Sequence, residues 1–224
     1  SQFALDKGND SVIRFSCTQE IVLGEMHVNA KNGFLSEFRN GHNERRLDLN
    51  SLDGLLGVHN HQNICAAYSV CRALGLEARL IEQAILSFKG LEHRTQLIRC
   101  KNGVRFINDS KATNVTSAAK ALNAFQKVRW ICGGVQKPGG LFALENCLNS
   151  VVKAYVIGQN AFEFAEQLKC KKSVCVTMEK ALAEAFRDAK NGDVILLSPA
   201  AASFDQYKNF EERGKDFVER VQNL

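Results

Sequence analysis

The chain has 224 residues, 45% of them hydrophobic and 24% charged, so it can bury an ordinary core as one large or two small domains. Its longest apolar runs, such as Val194 to Leu197, are far too short to cross a bilayer, and no secretory leader opens the sequence, so we expect a cytoplasmic protein. The net charge of +5 is modest, and the basic residues are spread along the chain, which argues against nucleic acid as a partner.

The eight cysteines do not suggest a metal centre or a disulfide framework. Most lie inside apolar stretches such as Arg129 to Cys132, and no Cys-x-x-Cys pair is present, so we interpret them as buried thiols. His59 and His61 are close in sequence, but residues two apart on a helix face different directions and further ligands are not evident. We therefore assign no metal ligand.

The first 90 residues predict strands followed by helices. Three short apolar runs separated by turns such as Lys31-Asn32-Gly33 are typical of antiparallel strands and hairpins. Apolar residues then recur at the helical period and predict two packed helices. The runs are Val12 to Phe15, Ile21 to Leu23 and Phe34 to Phe38, and the helices are Ser51 to Leu74 and Ala78 to Phe88. Lys89-Gly90 breaks the pattern, and we place a domain boundary near residue 90.

Beyond that boundary, apolar strands alternate with helices, which predicts an α/β domain with a largely parallel sheet covered on both faces. The predicted strands are Gln96 to Cys100, Val104 to Asn108, Val128 to Cys132, Lys153 to Ile157, Ser173 to Val176 and Val194 to Leu197. The predicted helices lie near Thr116 to Ala124, Leu141 to Leu148, Ala161 to Leu168, Met178 to Ala189 and Phe210 to Val221.

Three of these strands run straight into loops of small and polar residues. The loops begin at Asn108-Asp109-Ser110-Lys111, at Gly133-Gly134-Val135-Gln136-Lys137 and at Ser198-Pro199-Ala200-Ala201-Ala202-Ser203. Ligands bind at the carboxyl ends of parallel strands, so we expect the three loops to share one site. The ammonium groups of Lys111 and Lys137 and the hydroxyls of Thr113 and Ser203 suit a carboxylate or another small anion.

Each of these features also has a simpler explanation. Asp109 and Ser110 can cap the helix that follows, Gly133-Gly134 can be a turn, and a single lysine after a strand is usually solvated. Asn60 and Asn63 can likewise form the cap and first turn of a helix. The residues alone leave these alternatives open, although three such loops at one edge favour a shared site.

In order and spacing, several segments resemble the Mur ligases of peptidoglycan synthesis. The segments are Gly57 to Ala67, Glu92-His93-Arg94 and Asn108 to Asn114. Gly133-Gly134 with Lys137, and above all Leu197 to Gly214, are similar to the branch of the family that adds D-glutamate. The resemblance runs from about residue 50 to the end of the chain. The chain departs from the family at Gln136, where an acidic residue is frequent, and at Pro138-Gly139-Gly140, which makes an unusual turn.

The resemblance implies an ATP-dependent, ADP-forming ligase. In this chemistry ATP phosphorylates the alanyl carboxylate of UDP-MurNAc-L-Ala, and the amine of D-glutamate then attacks the acyl phosphate. The implied role is cytoplasmic peptidoglycan precursor synthesis in a bacterium, and through it cell wall biogenesis, cell shape, cell division and the cell cycle. Mg²⁺ is implied as well, with ligands mostly outside this chain, and we expect a monomer.

The family also implies an organisation into domains. Residues 1–89 would be the C-terminal portion of a central ATP-binding domain, and residues 90–224 a Rossmann-like ligase domain that binds D-glutamate. A Gly-x-x-x-x-Gly-Lys-Thr phosphate loop and a UDP-binding domain are not in the sequence, so we expect a fragment of a longer enzyme that is inactive alone.

By the same resemblance, the candidate site residues fall into three groups. Nucleotide binding is assigned to Asn60, Asn63, Arg94 and Asp109, and D-glutamate binding to Lys111, Thr113, Lys137, Ser203, Phe204 and Phe210. The catalytic candidates are His93, Lys111 and Arg213. His93 and Arg213 have a structural alternative, because such residues often only tie loops together by hydrogen bonds.

Two other functions remain to be compared with this one. The first is a stand-alone, non-catalytic α/β module that binds a nucleotide or an acidic amino acid. The second is a sister ligase that adds another amino acid, or adds glutamate to folate, and the Ser198 to Gly214 segment argues against it.

Overall fold

The computed structural model describes residues 13–17, 26–52, 54–55 and 57–224, without the side chains of residues 58 and 59. Internal contacts divide the chain into two units, Ser1–Lys89 and Gly90–Leu224. The predicted apolar run Ile21 to Leu23 lies outside the described residues. None of the helices formed by the described residues is long and apolar enough to cross a membrane.

The first unit contains a four-stranded sheet. Strand β1 (Arg14–Ser16) pairs in parallel with β2 (Met26–Lys31), and β3 (Phe34–Arg39) and β4 (His42–Asp48) continue the sheet antiparallel. The Asn32-Gly33 turn between β2 and β3 has positive φ at both residues, 52° and 80°, as a tight hairpin requires. The hairpin turn predicted at Lys31-Asn32-Gly33 is confirmed, and the predicted run Phe34 to Phe38 forms most of β3. Strands β2 and β4 were not among the predicted runs, and the antiparallel prediction is wrong for β1, whose pairing is parallel.

Two helices, α1 (Val58–Ala73) and α2 (Ala78–Ser87), pack with this sheet around a core that includes Val28, Leu35 and Tyr68. The first helix begins at Val58 rather than at Ser51, because Asp48 instead forms a turn. Its carboxylate accepts a hydrogen bond from the Asn50 N–H at 2.8 Å, and its carbonyl accepts one from the Ser51 hydroxyl at 3.3 Å.

The second unit is built on a six-stranded sheet with the order β5, β6, β10, β7, β8, β9. The strands are β5 (Gln96–Lys101), β6 (Val104–Asn108), β7 (Val128–Gly133), β8 (Val151–Ile157), β9 (Lys172–Val176) and β10 (Val194–Leu197). Only β5 is antiparallel to its neighbour. Strand β10 lies between β6 and β7, with Leu197 opposite both Asn108 and Ile131. The last strand of the chain thus occupies the middle of the sheet.

Helices cover both faces of this sheet, as predicted. They are α3 (Val115–Asn123), a 3-10 helix (Phe142–Ser150), α4 (Ala161–Glu166), α5 (Met178–Asp188) and α6 (Phe210–Gln222). Ile195 and Leu197 point to the face that packs with α5 and α6, where Leu182 and Phe217 are buried. Leu196 is also fully buried, which shows that the opposite face is covered too.

The helix predicted near Leu141 to Leu148 is present, and it is a 3-10 helix. Its first turn is closed by a bond from the Leu144 N–H to the Leu141 carbonyl at 2.9 Å, the i to i+3 spacing. At its end the Ser150 hydroxyl donates to the Cys147 carbonyl at 3.1 Å and so competes with continued helical bonding.

All eight cysteines are free thiols, but they are not uniformly buried. Cys65, Cys132, Cys147 and Cys175 are buried, Cys17, Cys71 and Cys170 are partly buried, and Cys100 is exposed. The buried-thiol prediction is therefore wrong for Cys100. This residue lies on β5 at the edge of the sheet, where alternate side chains face solvent.

Candidate functional site

The three loops singled out in the sequence are neighbours, because β10 lies between β6 and β7. Backbone hydrogen bonds join the β10 loop to each of the other two loops. The Asp109 N–H donates to the Leu197 carbonyl at 2.8 Å, and the Gly133 N–H donates to the Pro199 carbonyl at 2.9 Å. Val135 and Ala202 exchange two bonds of 2.9 Å. The carboxyl edge of the sheet is thus one connected surface.

Asp109 is the most buried carboxylate of this edge, with 7% of its surface exposed. One carboxylate oxygen accepts from the Thr95 N–H at 3.1 Å and from its hydroxyl at 3.5 Å, and the other accepts from Ser198 Oγ. Burial raises the pKa of Asp109 to about 6, although the hydrogen bonds from Ser198 and Thr95 and the nearby charge of Arg94 act in the opposite direction. Asp109 does not cap α3, whose cap is the Asn114 side chain.

The Asn108 side chain connects this edge to α6 and to His93. Its oxygen accepts from the Ser110 N–H at 3.1 Å, which identifies the other atom as the donor. The Asn108 Nδ2 then donates to the Gly214 carbonyl at 3.2 Å and lies 3.0 Å from the Nδ1 of His93. Since an amide nitrogen only donates, His93 Nδ1 is the acceptor and the ring proton is on Nε2.

His93 is buried and tightly enclosed. Its backbone has a φ of 62°, and a Cβ added at Gly214 would collide with its ring. Burial lowers the pKa of His93. The ring also meets that of Phe210 edge-on, with centroids 6.0 Å apart.

Lys111 is exposed to solvent at this edge of the sheet. Its N–H donates to the His93 carbonyl at 3.1 Å, and its ammonium lies 3.8 Å from the centre of the Phe210 ring. Phe210 is the first residue of α6, which begins there because the Asn209 side chain accepts from the Glu212 N–H at 2.8 Å. The structure therefore brings together Lys111, Phe210 and His93, three of the candidate residues.

The β7 loop depends on its two glycines. Gly133 and Gly134 have φ values of 116° and 127°, and a Cβ at Gly134 would collide with the carbonyl oxygen of Ala202. Gln136, where the family often has an acidic residue, instead exchanges two hydrogen bonds of 3.0 and 2.9 Å with Gln167. Lys137 follows directly and is exposed.

The remaining candidates have different surroundings. Ser203 is buried, Thr113 is half-buried, and Arg94 and Phe204 are exposed. Arg213 is buried, and its guanidinium donates to Ser110 and Ala201.

Asn60 and Asn63 lie one turn apart on α1 in the other unit, where Asn63 Nδ2 donates to Asn60 Oδ1 at 3.2 Å. Gly57 occupies the cap position of α1, so neither asparagine caps the helix.

Four residues of this edge were not identified from the sequence: Thr95, Asn108, Ser198 and Gly214. Thr95 follows Arg94 in a loop with no periodic pattern, although its positive φ of 46° marks an unusual backbone. Asn108 and Ser198 stand at the ends of strands, where the motif containing them is visible but their partners are not. Their partners lie up to 106 residues away in the chain.

A comparison with known families matches residues 93–201 to the family described as Mur ligase, glutamate ligase domain. The UDP-N-acetylmuramoylalanine–D-glutamate ligase of Roseobacter denitrificans is 56% identical over 220 residues, which cover 98% of this chain and 47% of that protein. The ligase of the same name from Ruegeria pomeroyi is 52% identical over 221 residues, covering 99% and 47%. The chain thus spans about half the length of the curated relatives it matches.

Solved structures share the fold at low sequence identity. The UDP-N-acetylmuramate-alanine ligase of Thermotoga maritima is 16% identical with a TM-score of 0.62, over 91% of this chain and 47% of that one. FolC of E. coli in complex with ADP is 20% identical with a TM-score of 0.64, over 89% and 47%. The matched domain and the curated relatives show that the chain belongs to the Mur ligase family.

Proposed function

We propose that this chain is the C-terminal part of a ligase of the MurD type, which uses ATP to add D-glutamate to UDP-N-acetylmuramoyl-L-alanine through an acyl phosphate. The observation that supports this most is the position of β10, which places the loops containing Lys111, Ser203 and Lys137 at one edge of the sheet. The curated relatives of that name, 52% and 56% identical over nearly the whole chain, support the same substrates.

The two units would have different roles in this enzyme. Residues 1–89 would be the end of the central ATP-binding domain, and residues 90–224 the domain that binds D-glutamate. On α1, Asn60 and Asn63 offer amides to a nucleotide. In the second unit, the exposed guanidinium of Arg94 suits phosphate, and Asp109 is mostly ionised at neutral pH and suits ribose hydroxyls.

D-Glutamate carries two carboxylates, and the second unit offers two ammonium groups to receive them. Lys111 and Lys137 are both exposed, so each can meet a substrate entering from solvent. The hydroxyls of Thr113 and Ser203 would complete the hydrogen bonding, and the rings of Phe204 and Phe210 would flank the substrate's methylene groups. Held in this way, the substrate would present its amine to the acyl phosphate.

Mg²⁺ would accompany ATP in this reaction, held mainly by phosphate oxygens. The described residues contain no group of three histidine, cysteine, aspartate or glutamate side chains arranged to hold a metal. They therefore do not fit a metal site of their own, and we assign them no ligand. Their role is to bind and orient ATP and D-glutamate.

The test is ADP release by the full-length protein with each substrate omitted in turn. We expect turnover only when ATP, UDP-MurNAc-L-Ala and D-glutamate are all present, and none from the 224-residue chain alone. Turnover with L-glutamate, L-alanine or L-lysine equal to that with D-glutamate would contradict the proposal. Binding of D-glutamate or ATP by the full-length protein without any turnover would instead support a non-catalytic binding module.

A further inference from the structure

Arg213 is one of the largest fully buried side chains of the protein, with 1% of its surface exposed. Three nitrogen atoms of its guanidinium are engaged. Nε donates to the hydroxyl oxygen of Ser110 at 3.0 Å, one terminal nitrogen to the Ser110 carbonyl at 2.9 Å, and the other to the Ala201 carbonyl at 3.1 Å. All three acceptors are neutral oxygens.

Burial of this charge is unfavourable for stability. Burial lowers the pKa of Arg213 to about 10, which still leaves it charged at neutral pH, and Asp205 acts on it only through space. Among the described residues, no carboxylate forms an ion pair with it. Burying a charge without an ionic partner costs free energy, so fold stability alone does not explain an arginine here.

The contacts of Arg213 lie on two of the three loops at the carboxyl edge of the sheet. Ser110 stands between Asp109 and Lys111 in the β6 loop, and its hydroxyl also donates to the Phe210 carbonyl at 2.8 Å. Ala201 stands two residues before Ser203 in the β10 loop. A planar guanidinium holds its acceptors at fixed separations, whereas a lysine ammonium offers one point of attachment.

We infer that Arg213 is a positioning residue: it holds the β6 and β10 loops at a set separation and places a positive charge beneath the site where an anionic amino acid binds. The inference rests on the proposed function, because it assigns D-glutamate as the ligand of that site. Arg213 acts through Lys111 and Ser203 and does not itself reach the substrate. A residue that only stabilised the fold would change the amount of active enzyme, not the affinity for one substrate.

The test is steady-state kinetics of the full-length ligase carrying Arg213→Lys, with Arg99→Lys as the matched control. Arg99 also donates to three carbonyls of the last helix and tail, at 3.1 to 3.3 Å, but contacts neither loop. We expect R213K to raise the KM for D-glutamate about tenfold or more while the KM for ATP changes less than about twofold. R99K should leave both values within about twofold of wild type.

Ser110→Ala provides a second variant that removes only a hydroxyl. It should raise the KM for D-glutamate about threefold. The double variant R213K/S110A should have a KM for D-glutamate no higher than that of R213K alone, because both substitutions disturb the same contact. An unchanged KM for D-glutamate in R213K and S110A, or equal rises for D-glutamate and ATP, would overturn the inference. If R213K does not fold, the S110A result decides.

A substrate-independent measurement separates this inference from the proposed function. In the 224-residue chain, the Arg213 Nε–H should exchange slowly with solvent by NMR, and S110A should accelerate the exchange at least about tenfold while R99K does not. If the Arg213 Nε–H exchanges slowly but the full-length protein does not turn over D-glutamate, the proposed function is wrong and the positioning role is not contradicted. Fast exchange in the wild-type chain would overturn the positioning role.

Discussion

The hydroxyl of Ser198 donates a hydrogen bond of 2.8 Å to the carboxylate of Asp109, and so joins the ends of β10 and β6. The two residues are 89 positions apart in the chain. Their contact places the proposed nucleotide-binding carboxylate next to the loop that contains Ser203. The buried pair also makes the stability of the second unit dependent on pH.

Asp109→Asn should remove part of this pH dependence. The folded-state pKa of Asp109, about 6, lies above its ordinary value of 3.8, so its contribution to stability is complete below pH 3.8 and is lost as the pH rises through 6. From about pH 5 to 7.5 the free energy of unfolding should fall by about 1 kcal/mol more in the wild type than in D109N. Urea denaturation across this pH range measures the difference. The prediction is contradicted if the free energy of unfolding changes with pH equally in the wild type and in D109N.

Phe210→Leu should weaken D-glutamate binding by removing the ring beneath the Lys111 ammonium. A contact of this kind contributes about 0.5–1 kcal/mol at an exposed site, so we expect the KM for D-glutamate to rise about two- to fivefold. Phe210→Trp keeps an aromatic face and should stay close to wild type. Equal effects of the two variants would contradict the role of the aromatic face.

Gly214→Ala should destabilise the second unit although alanine is the better helix former. The added Cβ would collide with the His93 ring and disturb its bond with Asn108, at a cost of about 1–3 kcal/mol. Thermal unfolding of G214A, H93A and the double variant forms a cycle. G214A should reduce stability less in the H93A background than in the wild type. If the losses of stability of the two single variants simply add in the double variant, the collision is contradicted.

Glu37→Gln should destabilise the first unit. The buried Glu37 carboxylate accepts from the Tyr68 hydroxyl at 2.6 Å and from Arg72 at 2.9 and 3.0 Å. Burial alone would raise the pKa of Glu37, but the hydrogen bonds from Arg72, Tyr68 and Arg39 outweigh it and leave the pKa below the ordinary value of 4.5. The stabilisation is therefore present above pH 4.5 and is lost as the pH falls further.

At neutral pH, E37Q should lower the free energy of unfolding by about 3 kcal/mol, because it leaves the Arg72 charge without its carboxylate. The exposed Glu44 on β4 provides a control, and E44Q should change stability by less than about 0.5 kcal/mol. Denaturation followed by a probe in the first unit measures both. A cost for E37Q no larger than that of E44Q would contradict the role of the buried carboxylate.

Much of the fold of the second unit could be predicted from the sequence. The observed β10, Val194–Leu197, has the bounds predicted for it, because a short run of apolar residues between polar ones is itself the signal of a buried strand. The 3-10 helix at Phe142–Ser150 could not be distinguished from an α-helix, since both place apolar residues at nearly the same spacing. Capping was equally ambiguous, and Asn114 caps α3 where Asp109 was the alternative.

In the second unit, the sequence by itself determined where the strands and helices lie and which three loops carry polar groups, because these depend on periodicity and composition within a few residues. Only the tertiary structure placed β10 between β6 and β7, buried Arg213 against Ser110 and Ala201, and paired Asn108 with Gly214. These relationships join residues that lie as much as 106 positions apart. They follow from how the sheet and its helices pack, which no local pattern encodes.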